Sequence, residues 1–210
     1  MIGLTNAIDK FNEINKLEYI ISSGTQYIDT EYVHKATTRI ETECCLISNT
    51  NSNYQVVFGA RYTDYKKNAF VFFNRFYGNN IPCFNRSGNE KRGSGLVYDE
   101  FIKIVAEGQT VSWYKDDVLV GSVTSTGTVD AGVTPMMIFN VNTASSSGGV
   151  TPDISYSYIK MKSFKIYEGN ILVRDYIPYQ DENGIYCLYD KVGENCYYNK
   201  GTGSFSGSNS

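Results

Sequence analysis

At 210 residues the chain is the size of one domain with a small extension, long enough to bury a core without metal or disulfide staples. With 19 basic against 22 acidic residues and a net charge of −3, it lacks the basic excess needed to grip a nucleic-acid backbone or an anionic membrane. Its 18 tyrosines, one tryptophan, 19 glycines and 4 prolines make a turn-rich, strand-favouring composition, which excludes collagen-like, coiled-coil and disordered classes.

The first predicted element is helical. Leu4, Ala7, Ile8, Phe11 and Ile14 share one face of an amphipathic helix over Leu4–Lys16, with Thr5, Asp9, Lys10, Asn12 and Glu13 opposite. A single short helix is marginal alone, so it docks on its own domain or acts as an oligomerising stalk, for instance of a homotrimer. From Leu17 onward the pattern is of strands. Thr38–Leu46 begins as an alternation, and Tyr54–Arg61 and Ala69–Asn74 are short β-rich runs. Phe101–Glu107 alternates with Ile102, Ile104 and Ala106 on one side. Val111–Tyr114 and Val118–Val120 bracket Lys115-Asp116-Asp117 as a hairpin. Pro135–Val141 is a further run. In Tyr158–Glu168 the inward set is Ile159 and Met161, then Phe164 and Ile166, so the phase slips at Ser163 as a β-bulge requires. Ile171–Ile177 and Ile185–Tyr189 follow, split by a turn at Asp181–Gly184. The longest loops are expected at Asn49–Asn53, Asn85–Gly95 and Thr143–Thr151. The domain plan is a helix over 1–16, one domain over 17–206 and a mobile Gly/Ser tail over 207–210.

The five cysteines are odd in number and form no Cys-x-x-Cys, against a structural zinc site. They are expected to be reduced and mostly buried; Cys187 and Cys196 flank a turn, and whether they join is open. His34 is the single histidine and is expected at the surface, so histidine-built metal sites are excluded by count. No basic start followed by an apolar run marks a secretory signal, and no apolar stretch reaches the length of a membrane span.

Several stretches together carry a resemblance. They are Leu17-Glu18-Tyr19-Ile20 with Ser23–Thr30, Phe58-Gly59-Ala60-Arg61, Ser163–Tyr167, Leu172–Pro178, Gly184–Asp190 and Tyr198–Phe205. In order and wording they resemble the concanavalin A-like lectin/glucanase (laminin-G-like) modules of gut-bacterial surface proteins and phage structural proteins. The resemblance implies an all-β, antiparallel jelly-roll β-sandwich of two curved sheets, here with the short N-terminal amphipathic helix. It implies adhesion or glycan binding on a concave face or its edge loops, and a Gly-Thr-Gly-x-Phe segment that closes the sandwich beside the first strand.

The glucanase branch carries three carboxylates on one strand. Glu41-Thr42-Glu43 is the nearest match and lacks the third, so the chain is read as noncatalytic. Glycan binding uses aromatic faces and planar amides. The candidates that end strands at loops are Arg61, Tyr62, Asn74, Tyr77, Asn140 and Asn142, with Trp113 added from the hairpin, although packing is its more expected role. No cofactor is expected. Calcium is left open and unfavoured, since Asp64, Asp130 and Asp153 are isolated. The expected partner is a surface glycan or cell-envelope polysaccharide, with capsid or tail proteins besides; the alternative reading is a purely structural virion protein, a capsid decoration or head- or tail-fibre domain, without sugar binding. The expected location is a virion or a bacterial cell surface.

Overall fold

The computed structural model of the protein describes residues 15–48, 54–62, 68–76, 80–153 and 157–209. Among them there are sixteen strands and no helix: β1 (Leu17–Gly24), β2 (Ile28–Asp29), β3 (Thr38–Leu46), β4 (Tyr54–Ala60), β5 (Phe70–Phe76), β6 (Asn80–Arg86), β7 (Asn89–Arg92), β8 (Ile102–Glu107), β9 (Thr110–Lys115), β10 (Val118–Thr124), β11 (Met137–Ile138), β12 (Ser157–Glu168), β13 (Ile171–Gln180), β14 (Tyr186–Asp190), β15 (Asn195–Tyr197) and β16 (Ser206–Asn209). They form two antiparallel sheets. The ten-stranded sheet runs β10-β9-β8-β3-β12-β13-β14-β15, with β1 also on β12 and β16 on β1; the six-stranded sheet runs β2-β11-β4-β5-β6-β7.

The sheets pack through one apolar core, because each strand turns alternate side chains to the same face. Ile20, Ile40, Ile104, Trp113, Ile159 and Phe164 meet Phe58, Phe70, Phe72 and Phe84 there. Phe58 bridges the layers, its ring centre 5.5 Å from Phe70 and 5.7 Å from Phe164. Burying one such phenylalanine contributes about 1.5–3 kcal/mol. In β12 the inward set is Ile159, Met161, Phe164 and Ile166, and the register against β3 shifts between Met161 and Ser163, so the phase slip is a bulge at Lys162.

The β9–β10 hairpin turns on Asp116 and Asp117, whose φ values of 48° and 61° match the right-handed strand twist. Trp113 is fully buried, and its indole lies where a Cβ on Gly121 would come within 2.5 Å of it. The Tyr198–Phe205 segment is structural. Asn199 Oδ1 accepts from the amides of Tyr27 and Gly201, and a Cβ on Gly201 would lie 1.9 Å from the Thr25 carbonyl oxygen. Phe205 then enters the core against Phe139 at 5.4 Å.

Four expectations change. Residues 1–14 lie outside the described residues, but Asn15 and Lys16 do not end a helix: Lys16 bridges Tyr179, and the Gln180 amide donates to the Asn15 carbonyl. Residues 207–209 are not loose, because the Gly/Ser run supplies small side chains to pair with β1 from Leu17 to Ile21. The stretch expected as a loop from Asn85 is a hairpin, Arg86↔Asn89, with Ser87 and Gly88 at its tip. His34 is fully buried, its ring 5.5 Å from that of Phe70, with Gly132 abutting the imidazole. Burial, followed by the Arg86 charge, lowers its pKa to about 3.

Candidate functional site

The six-stranded sheet is apolar on both faces. Phe70 and Phe72 point into the core, so alternation turns Val71 and Phe73 outward, where Val56, Cys83 and Val141 join them in a second apolar cluster. A bulge in β4 at Val57 lets Val56 pair with Phe73 while Phe58 pairs with Phe72. Gly59 is required beside them, because a Cβ there would come within 2.8 Å of Val71.

This floor lies under a cavity of about 310 Å3, lined also by Tyr54, Arg61, Arg75, Asn85, Glu90 and Asp153. Two ion pairs stand over it. Arg75 on β5 reaches Glu90 on β7 at 2.7 Å, and Arg61 after β4 reaches Asp153 at 2.8 Å. The Arg75 guanidinium also lies 5.2 Å from the centre of the Tyr54 ring and 5.5 Å from that of Phe73. Arg92 adds a third guanidinium 3.5 Å from Glu90 at the margin. The groove therefore combines aromatic surface, planar donors and carboxylate acceptors with nearly balanced charge. Cys83 beneath it is no nucleophile, since burial pushes its thiol up to about 12.

Of the predicted residues, only Arg61 lines this cavity. Tyr62 is half-buried and does not line it. Asn140 and Asn142 are buried behind it and act on the backbone. The Asn140 amide donates to the Asp153 carbonyl at 3.2 Å, and its Oδ1 accepts from Val141 N. The Asn142 amide donates to the carbonyls of Pro135 and Gly149, while its Oδ1 accepts from Ala144 N and Thr151 N. Asn142 thus fastens the 143–151 loop and carries Asp153 to its place facing Arg61. Asn74 points the other way, buried and donating to the Tyr98 hydroxyl at 2.6 Å, because it follows Phe73 and takes the opposite face. Trp113 lies in the core, too enclosed to touch a ligand. Tyr77 falls outside the described residues, as does Asp64.

Tyr54, Phe73, Arg75, Asn85, Glu90 and Asp153 are the residues sequence reasoning missed. One signal was present: Ala69-Phe70-Val71-Phe72-Phe73 is a continuous apolar run, which marks a strand with both faces covered. Glu41 and Glu43 lie elsewhere, on the outer face of the ten-stranded sheet. Glu41 pairs with Arg39 at 3.1 Å and Glu43 with Lys162 at 3.4 Å. Asp130 accepts from Ser87 and Thr128. Among the described residues no group of three or more His, Cys, Asp or Glu side chains is arranged to hold a metal ion.

No family model matches the chain, and no curated protein matches it. Solved structures do. A carbohydrate-binding protein (so described provisionally) from Bacteroides ovatus superposes with a TM-score of 0.56 at 10% identity, over 93% of this chain and 61% of that one. This chain therefore spans less than two thirds of that protein. A heptameric SAP-like pentraxin from Limulus polyphemus superposes with a TM-score of 0.50 at 11% identity, over 72% of this chain and 76% of that one. At such identities the likeness shows the fold alone, a β-sandwich of two antiparallel sheets.

Proposed function

We propose that the chain is a noncatalytic glycan-binding module and that the groove over β4, β5 and β6 is its binding site. The observation that carries this reading is the pairing of an apolar, aromatic floor with two guanidinium–carboxylate pairs above it. A pyranose ring presents an apolar face and a rim of hydroxyls. The face suits Phe73 and Tyr54, and the hydroxyls suit oriented guanidinium donors and carboxylate acceptors. The cavity of about 310 Å3 is at the small end of ligand sites and suits one or two sugar units. A glycosidase would need a general acid set in apolar surroundings and a second carboxylate at a fixed spacing. Here Glu90 and Asp153 each face an arginine instead, an arrangement that grips. The carbohydrate binding described for the Bacteroides ovatus neighbour supports the same reading.

The module belongs, on this proposal, to a bacterial or virion surface, where the ligand is a surface glycan or envelope polysaccharide. Attachment to capsid or tail proteins, drawn from the sequence resemblance, and a trimer built by residues 1–16, drawn from the helical spacing over Leu4–Lys16, are parts of the proposal. A glycan array tests the binding: hits are expected, and they should weaken at least about fivefold in Arg75→Ala. An array with no hit above background overturns it. Light scattering on the full chain and on a chain starting at Leu17 tests the assembly. A trimer that becomes a monomer on truncation supports it, and two monomers reject it.

A further inference from the structure

A second hollow, of about 330 Å3, lies at the far end of the ten-stranded sheet, where Tyr179, Asp181, Asn183, Tyr189, Cys196 and Tyr198 meet. Its geometry follows from register. β14 and β15 pair as Leu188↔Tyr197 and Tyr189↔Cys196, so alternation sets Cys187, Tyr189 and Cys196 on one face. Cys187 lies one diagonal step from Cys196, fully buried, while Cys196 is half-exposed at the hollow. The two thiols are neighbours on that face, each shifting the other's ionisation.

We propose that Cys196 and Cys187 form a thiol–disulfide exchange pair, in which Cys196 attacks a small-molecule disulfide admitted by this hollow and Cys187 resolves the adduct. In the first step the Cys196 thiolate bonds to one sulfur of the disulfide R–S–S–R, whose S–S bond breaks and releases RS⁻. In the second, Cys187 gives up its proton to the released thiolate, and its sulfur attacks that of Cys196. A Cys187–Cys196 bond forms and a second RS⁻ leaves. Both protein thiols are oxidised and one R–S–S–R is reduced to two thiols.

The microenvironment supports the division of labour. The Cys187 thiol beside it holds the Cys196 thiol below its ordinary value against its burial, whereas Cys187 is pushed up by Cys196 and by its own burial. Asp181, Glu182, Tyr179, Tyr189 and Tyr198 also face the hollow, and Asp181 is occupied by the Tyr198 hydroxyl at 3.0 Å. By contrast burial pushes up the thiols of Cys44, Cys45 and Cys83.

The test is the native full chain with 5,5′-dithiobis(2-nitrobenzoate) as the probe disulfide, followed by absorbance and intact mass. Two thionitrobenzoates should be released in a fast phase at least about tenfold faster than any other thiol reacts. The product should carry no adduct and weigh two hydrogens less. Cys187→Ser should release one thionitrobenzoate and keep the adduct, and Cys196→Ser should lose the fast phase. A persistent adduct on the unaltered chain overturns the proposal, as does equal reactivity of Cys44, Cys45 or Cys83. If Cys187→Ser fails to fold, the mass of the unaltered chain decides alone.

Discussion

The guanidinium of Arg86 lies 4.3 Å from the centre of the Phe70 ring, fully buried, and none of its nitrogens meets a hydrogen-bond acceptor. Burial lowers its pKa to about 10, with Asp130 acting in the opposite sense. The ring face recovers only part of what desolvation costs, about 2 kcal/mol for a buried cation–π contact. Replacing even a buried ion pair by apolar side chains of similar volume is often neutral or stabilising by roughly 1–4 kcal/mol, and a buried charge with no ion-pair partner has less to lose. Arg86→Met is therefore expected to leave stability unchanged or raise it, as read by urea denaturation. A loss of more than about 2 kcal/mol would show that the charge itself holds this corner of the sheet.

His34, beside the same ring, makes the fold acid-sensitive. Its folded pKa of about 3 lies below the ordinary value of 6.5. Between those values the unfolded chain binds the extra proton, so stability falls as pH falls through that window. At pH 4 the loss from this group is about 3 kcal/mol. His34→Leu should flatten the unfolding free energy between pH 6.5 and pH 4 relative to the unaltered chain, whose carboxylates supply the common background. Parallel curves for the two proteins would remove His34 as the cause.

Trp113 is the sole tryptophan, which makes it a reporter of its own packing. A Cβ at Gly121 would press against backbone as well as indole, at 2.8 Å from the Ser94 carbonyl oxygen and 2.5 Å from the ring. Gly121→Ala should thus cost about 1–3 kcal/mol by overpacking and shift the buried tryptophan emission to the red. An unchanged spectrum and melting temperature would contradict the packing described.

Tyr54 is 38% exposed at the mouth of the groove. Tyr54→Ala should alter stability by less than about 1 kcal/mol. Its loss should weaken glycan binding by about 1 kcal/mol, roughly fivefold, by calorimetry on an array-selected sugar. Equal affinity would move the ligand away from this face.

The strands that cover solvent on one side were legible residue by residue. β8 and β12 show their alternation plainly, and even the bulge at Lys162 appears as a phase slip. The groove was not, because its floor belongs to strands apolar on both faces, where alternation carries no contrast. Arg75, Glu90 and Asp153 come from three segments that only pairing brings together. The asparagines misled for a related reason. Asn142 is polar at a strand end, as a ligand-binding residue would be, but its donors and acceptors are all spent on carbonyls and amides of its own loop.

Leu17 and Asn209 are partners on the terminal rung of the β1–β16 pair. A pull between those two points acts across the rungs and opens them in sequence, Asn209 first and Ser206 last, instead of loading all of them together. The C-terminal strand would peel at low force, while Phe205, inserted against Phe139, is where peeling stops and the core begins to bear tension.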